Sequence, residues 1–197
     1  MTTNTLFVFA KPNRMGLSKT RLAKDIGKVA AQRLNGFLLS RALKAATDSR
    51  WQCKLMVAPD TAVSNRNPDW PRYFDRQAQG SGSLGDRMAR ALYAAPAGNV
   101  AFIGTDMPEI SSRLIAEAFN MLKCKDAVFG PADDGGFWLY AQRKTIRSKS
   151  PFNDVRWSTK FALEDVRRNL ENQNIGYLPT FVDLDDAEAM KKWREGR

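Results

Sequence analysis

The feature that most constrains this chain is an alternation of two periodicities: short apolar, β-prone runs that each hand over to a stretch with apolar residues at helical spacing. Residues 5–10 (TLFVFA) are apolar at consecutive positions, which predicts a central strand buried on both faces. Val29, Leu34, Phe37, Leu38 and Leu43 predict a helix over 29–47, and residues 53–58 return as a strand, completing one βαβ unit. Segment 59–79 is polar and broken by proline, so it reads as a connection, and 86–95 reads as a short helix stopped by Pro96. A strand over 100–104 leads to a helix over 112–122, and strands over 127–130 and 137–141 flank a turn. A basic loop over 143–150, a helix over 159–170, a strand over 177–184 and a helix over 187–194 follow. Such alternation predicts an α/β protein: a three-layer α/β/α, Rossmann-like mixed sheet, one domain over residues 1–197, with its ligand beyond the carboxyl ends of the strands.

The 197 residues, 43% of them apolar, suffice for one buried core. There is no histidine, which excludes a His-containing triad, imidazole acid–base catalysis, haem ligation and the usual zinc site. Cys53 and Cys124 are too far apart for a CxxC pair. Any chemistry is left to carboxylates, amines and metal. The balance of 31 Lys and Arg against 21 Asp and Glu gives +10, which favours phosphates, polyanions or an acidic membrane surface as partners. No apolar run approaches the roughly 20 residues of a membrane span, and the first is too short for a signal-peptide core. The cytoplasm is therefore the expected compartment.

Residues 11–24 (KPNRMGLSKTRLAK) place Lys11, Arg14, Lys19, Arg21 and Lys24 between a strand and a helix with no acidic residue among them. Backbone N–H groups at such a switch point already favour an anion, and the cations add charge-assisted bonds, so the loop reads as a phosphate site. It is not a Walker A loop, because Asn13 and Ser18 stand where glycines are required. Gly80-x-Gly82-x-x-Gly85 matches the dinucleotide fingerprint, but the preceding residues 72–79 are polar and include Asp75 and Arg76, where that motif needs a buried strand.

Asp106 follows an apolar strand on the sheet edge that the basic loop would share, the position for a magnesium ligand facing phosphates. A helix N-cap is the competing role for Thr105 or Asp106. Asp133 and Asp134, ahead of Gly135-Gly136, fit either an ordinary turn or a base near an acceptor. Asp183 and Asp185 would share one face if the last strand continues, whereas a helix cap accounts equally well for Asp185 and Asp186. Trp138, Trp157 and Phe152 read most simply as core or lid aromatics; the alternative is that an aromatic beside Arg156 stacks on a ring or sugar.

Together these stretches resemble one family: Ala10-Lys11-Pro12, Lys19-Thr20-Arg21-Leu22-Ala23, Gln79-Gly80 with Leu84-Gly85-Asp86-Arg87-Met88, Gly104-Thr105-Asp106-Met107-Pro108, Asp134-Gly135-Gly136-Phe137, the segment from Phe152 to Thr159, and Asp183-x-Asp185. The chain is similar to the bacterial group-A glycosyltransferase-like family associated with radical-SAM proteins, itself similar to the guanylyltransferases that activate phospholactate and molybdenum cofactor. The resemblance implies a nucleotide-diphospho-sugar transferase (GT-A) fold. It implies that the first loop, with Gln79, Gly80 and Gly85, holds the base and phosphates, and that Asp106 holds Mg2+ or Mn2+. The usual D-x-D is reduced here to Asp106-Met107-Pro108, so a second ligand is expected from Asp183 or Asp185.

The leading expectation is a metal-dependent transferase acting on a nucleotide sugar or a nucleoside triphosphate, with an unknown acceptor. Nucleotidyl transfer to an ionised phosphate needs no base, whereas glycosyl transfer to a hydroxyl does, with Asp133 or Asp134 supplying it. A non-catalytic nucleic-acid binder is disfavoured, since the cations crowd a loop and do not stripe a helix. A family member that binds nucleotide without turnover is the remaining alternative.

Overall fold

Strand β1 (Asn4–Ala10) is the strand on which the rest is built. In the computed structural model, which describes residues 3–16, 18–64 and 70–195, it pairs in parallel with β2 (Gln52–Val57) and β4 (Gly98–Ile103), placing Val8 opposite Leu55 and Ile103. Leu17 of the basic loop lies outside the described residues. The run of apolar residues in β1 serves both faces. Leu6 and Val8 join a core with Leu39 and Leu43 of one helix and Leu114 and Ile115 of another, the helices α2 (Lys28–Ala46) and α4 (Ser112–Met121). Phe7 points the other way and stacks on Phe102 at 5.2 Å, beside Met88 and Leu92 of α3 (Leu84–Ala94) and Val166 of α5 (Ala162–Arg168). The result is the expected α/β/α layering.

The seven-stranded sheet runs β3-β2-β1-β4-β6-β5-β7. Strand β6 (Phe137–Lys144) is antiparallel to both β4 and β5 (Ala127–Pro131), and β7 (Ile175–Tyr177) is parallel to β5. Two helices complete the chain, α1 (Leu22–Ile26) and α6 (Ala187–Glu195). No helix among the described residues is long and apolar enough to cross a membrane.

Four local expectations are corrected. Segment 59–79 contains β3 (Asp75–Ala78), whose polar residues are tolerated because it is the edge strand beside β2. Val29 and Phe37 of α2 are exposed, because small and branched residues, among them Ala31, Leu38, Leu39, Ala42 and Ala46, set its buried face. The predicted loop over 143–150 begins as the end of β6, with the Lys144 ammonium donating to the carbonyls of Tyr93 (2.9 Å) and Ala95. The strand expected over 177–184 stops at Tyr177. Pro179 has no N–H to give a ladder, and beyond it only Phe181 bridges, to Ala132.

Candidate active site

Because β1 and β4 are parallel neighbours, their carboxyl ends open at the same sheet edge. The loop after β1 carries Lys19 and the segment after β4 carries Asp106, and the two meet. Lys19 Nζ lies 2.5 Å from Asp106 Oδ1, 2.7 Å from Asp185 Oδ1 and 3.7 Å from Asp183 Oδ1, with 1% of the side chain exposed. Lys19 also holds a left-handed backbone, φ 54°, uncommon for a residue with a Cβ.

The aspartates are free for this role because neighbouring residues take the caps. Ser111 caps α4 by accepting the Leu114 N–H at 3.4 Å, and Asp186 accepts the Ala189 N–H at 2.8 Å at the start of α6. Asp183 and Asp185 arrive on an irregular segment that follows β7 and bridges to Ala132 at Phe181, not on a continuing strand.

Three carboxylates face one ammonium, so the cluster is anionic. Burial opposes charge on Lys19, yet Asp106, Asp185 and Asp183 together outweigh it and hold the amine above its ordinary range. Asp183 shows the opposite strain: burial first, then Asp106, push its carboxyl up to about 7, with Lys19 offsetting only part. Its Oδ1 is buried and makes no hydrogen bond among the described residues. One oxygen from each of Asp106, Asp183 and Asp185 lies within 4.8 Å of the others. An all-oxygen, anionic donor set with an unsatisfied buried oxygen fits a hard divalent cation such as Mg2+ or Mn2+.

Two clefts reach this cluster. One, about 510 Å³, is lined by apolar Phe9, Ala10 and Met88 and by polar Lys11, Ser18, Lys19, Thr20 and Gln79. The other, about 430 Å³, is lined by Arg21, Asp134, Trp157, Ser158, Thr159 and Lys160. Asp183 and Asp185 line both.

The remaining candidates divide. Lys11 borders the first cleft and Arg21 the second, while Arg14 and Lys24 border an adjoining hollow of about 330 Å³, which shares Ser18, Thr20 and Asn35 with the first cleft. Buried Gln79 donates to the Met56 carbonyl at 2.9 Å and accepts from Arg87 at 3.2 Å, so the wall it forms is rigid. Gly80 has φ 76° and donates its N–H to Asp60 at 3.1 Å. Gly85 is packed against the Trp157 indole and the Phe152 carbonyl, so it lets α3 approach the aromatic layer and does not face a ligand. Asp133 pairs with Lys192 and accepts the Asp183 N–H at 3.3 Å, outside both linings. Asp134 accepts the Gly136 N–H at 2.9 Å and does line the second cleft. Trp138 and Phe152 are buried, Trp157 borders the second cleft, and the Arg156 guanidinium is held by Asp165.

Residues that sequence reasoning passed over also line the first cleft, notably Ser18, Thr20, Asn35 and Arg87. A signal existed for Arg87: Leu84, Arg87 and Met88 share one face of α3 at i, i+3 and i+4, and all three line the cleft.

Comparison with known proteins agrees with this architecture. A family model described as "Uncharacterized protein conserved in bacteria (DUF2064)" matches residues 41–159. No curated protein matches the sequence. Among solved structures, a candidate nucleotide-diphospho-sugar transferase from Desulfovibrio desulfuricans G20 is 25% identical, with TM-score 0.78, covering 94% of this chain and 84% of that one. The 4-diphosphocytidyl-2C-methyl-D-erythritol synthase of Anaerococcus prevotii DSM 20548 shares the fold at 10% identity, TM-score 0.61, covering 99% and 98%. Rv0371c of Mycobacterium tuberculosis H37Rv, in complex with manganese, shares it at 14% identity, TM-score 0.57, covering the whole of both chains.

Proposed function

The chain belongs to the bacterial family DUF2064, and we propose that it is a divalent-metal-dependent nucleotidyltransferase, moving a nucleoside monophosphate unit from a nucleoside triphosphate to an anionic acceptor. The observation that carries this reading is the acidic cluster at the junction of two clefts, one bordered by the basic loop and the other by Arg21 and Lys160. The fold shared with a 4-diphosphocytidyl-2C-methyl-D-erythritol synthase and with a protein solved in complex with manganese supports it.

In this reading the base enters the first cleft against Phe9, Met88 and the Gln79 wall, and Lys11, Lys19, Ser18 and Thr20 bind the phosphates. Arg21 and Lys160 draw in the acceptor. An acceptor phosphate oxygen attacks the α-phosphorus, the bond from that phosphorus to the bridging oxygen breaks, and pyrophosphate leaves with the electron pair. The acceptor is already ionised, so positioning and charge neutralisation suffice. Asp106, Asp183 and Asp185 would hold the cation, which when bound supplies positive charge to the phosphate oxygens.

Glycosyl transfer is the second reading, favoured by Asp134 on the acceptor side as the base for a hydroxyl. Incubation with the four nucleoside triphosphates and phosphorylated acceptors should release pyrophosphate in a metal-dependent way. Binding of a nucleotide sugar without pyrophosphate release from any triphosphate would favour glycosyl transfer. Calorimetry showing no nucleotide binding with or without Mg2+ would overturn both.

A further inference from the structure

Lys19 occupies the place a cation would take. Its ammonium contacts Asp106 and Asp185, two of the three carboxylates that with Asp183 would hold a metal, and its side chain is almost wholly enclosed. A magnesium or manganese ion bonds carboxylate oxygens at about 2.0–2.2 Å. An ion held by those carboxylates would bring two positive centres close together. The ion and the amine therefore compete for one pair of acceptors.

Resting on the reading above, we infer that Lys19 is an internal placeholder cation that keeps divalent metal out of the Asp106–Asp183–Asp185 cluster until nucleotide phosphates draw its ammonium away. The loop is placed for such an exchange. Ser18, Lys19 and Thr20 all border the nucleotide cleft, so phosphates bound there offer the amine a replacement anion beside the one it leaves. The left-handed backbone at Lys19 is a conformation maintained by its surroundings, and the three carboxylates are the evident hold on it. Metal and nucleotide therefore bind cooperatively, and each raises affinity for the other by the same factor. Lys19 is then a positioning residue for the metal as well as a phosphate ligand, and its two roles belong to two states of the site.

The test is Mn2+ binding to the intact chain without nucleotide, followed by calorimetry and by the electron paramagnetic resonance signal of the free ion. Wild-type protein should bind Mn2+ weakly, and Lys19→Met should bind it about tenfold or more tightly, a gain typical of site-to-site coupling. Lys19→Arg, which keeps the charge, should remain as weak as wild type. A merely structural lysine would give loss of binding on removal, not a gain. Should the Met variant not fold, Lys19→Gln keeps a hydrogen-bond donor for Asp185 and should show the same gain. If the uncharged variants bind Mn2+ no tighter than wild type while Asp106→Asn removes what binding there is, the placeholder role is overturned and the metal site stands. If none of these proteins binds Mn2+ with or without a nucleoside triphosphate, the metal-dependent reading and the placeholder role fall together.

Discussion

Two charged clusters in this molecule use the same ingredients to opposite ends. In the first, the Asp165 carboxylate, 2% exposed, accepts two bonds from the Arg156 guanidinium (2.8 and 2.7 Å), one from the Arg156 N–H (3.0 Å) and one from Arg168 (2.8 Å). Both oxygens are satisfied, and these hydrogen bonds, the guanidinium's foremost, hold its carboxyl well below the usual range. The Arg156 fork also lies 4.1 Å over the Phe161 ring, which fixes it further. In the second, three carboxylates share one ammonium, one buried oxygen makes no hydrogen bond among the described residues, and the Asp183 carboxyl is raised where that of Asp165 is lowered. A saturated network holds a fold together; an unsaturated one at the mouth of two clefts is arranged for something that arrives.

The largest expected effect breaks the unsaturated side. Asp106→Asn should lower turnover by about 10²–10³-fold or more, the scale of losing one transition-state-stabilising group, and should abolish Mn2+ binding. It should change the melting temperature little, because loss of the ion pair with buried Lys19 is offset by relief of repulsion on Asp183. Asp165→Asn should do the reverse, lowering the melting temperature clearly because Arg156 and Arg168 lose the carboxylate between them, while nucleotide affinity of the folded protein persists. Paired melting curves and nucleotide titrations on the two variants would show a crossed pattern. If each variant impaired both properties equally, the distinction between the clusters would fail.

What was legible in the sequence follows the same line. The meeting of Lys19 and Asp106 was readable because two buried, consecutively apolar strands are parallel neighbours in such a sheet, and their next residues must emerge together. Asp183 and Asp185 were readable as partners only through motif resemblance. The continuing strand that geometry offered is absent, and a chain leaving the sheet near Pro179 has no periodicity to announce where it goes. Strand β3 escaped because an edge strand beside β2 needs no alternating apolar face. Asp133 and Asp134 could not be separated from composition, since what divides them is Lys192 of α6, reached from 59 positions along the chain. The Arg156–Asp165 pair was not legible, because the sequence shows the aromatic neighbours of Arg156 and hides the carboxylate on the next helix.

Gly135 joins the two regions and gives a smaller effect. It lies in the turn beside Asp134 at φ 87°, its carbonyl accepts the Leu163 N–H of α5 at 3.0 Å, and a Cβ would strike the Lys160 carbonyl. Gly135→Ala should cost at least about 1–2 kcal/mol from backbone conformation alone, read as a lower urea midpoint. Because Lys160 and Asp134 line the second cleft, it should weaken use of the acceptor more than binding of the nucleotide. Equal loss for both would place the turn outside the acceptor side.

The smallest effect is a pH dependence, and its sign discriminates. The Asp165 carboxyl titrates lower in the folded chain than its unfolded value of about 3.9, so ionisation favours folding. Its contribution is therefore complete above that unfolded value and is lost as pH falls toward the folded one. The melting temperatures of wild type and Asp165→Asn should differ by a constant amount from pH 8 down to about pH 5 and converge below about pH 4. Every other titrating group, those of the cleft included, is present in both proteins, so the difference isolates this one carboxylate unless the substitution couples to them. Arg168, exposed and bonded to a single oxygen, should account for little of it, and Arg156→Lys for more, because a lysine cannot reproduce the two-bond fork. A difference that instead grew as the solution was acidified would mean that the carboxylate is held unfavourably. The saturated cluster would then be strained in the same sense as the cleft, leaving location at the sheet edge as what distinguishes the two.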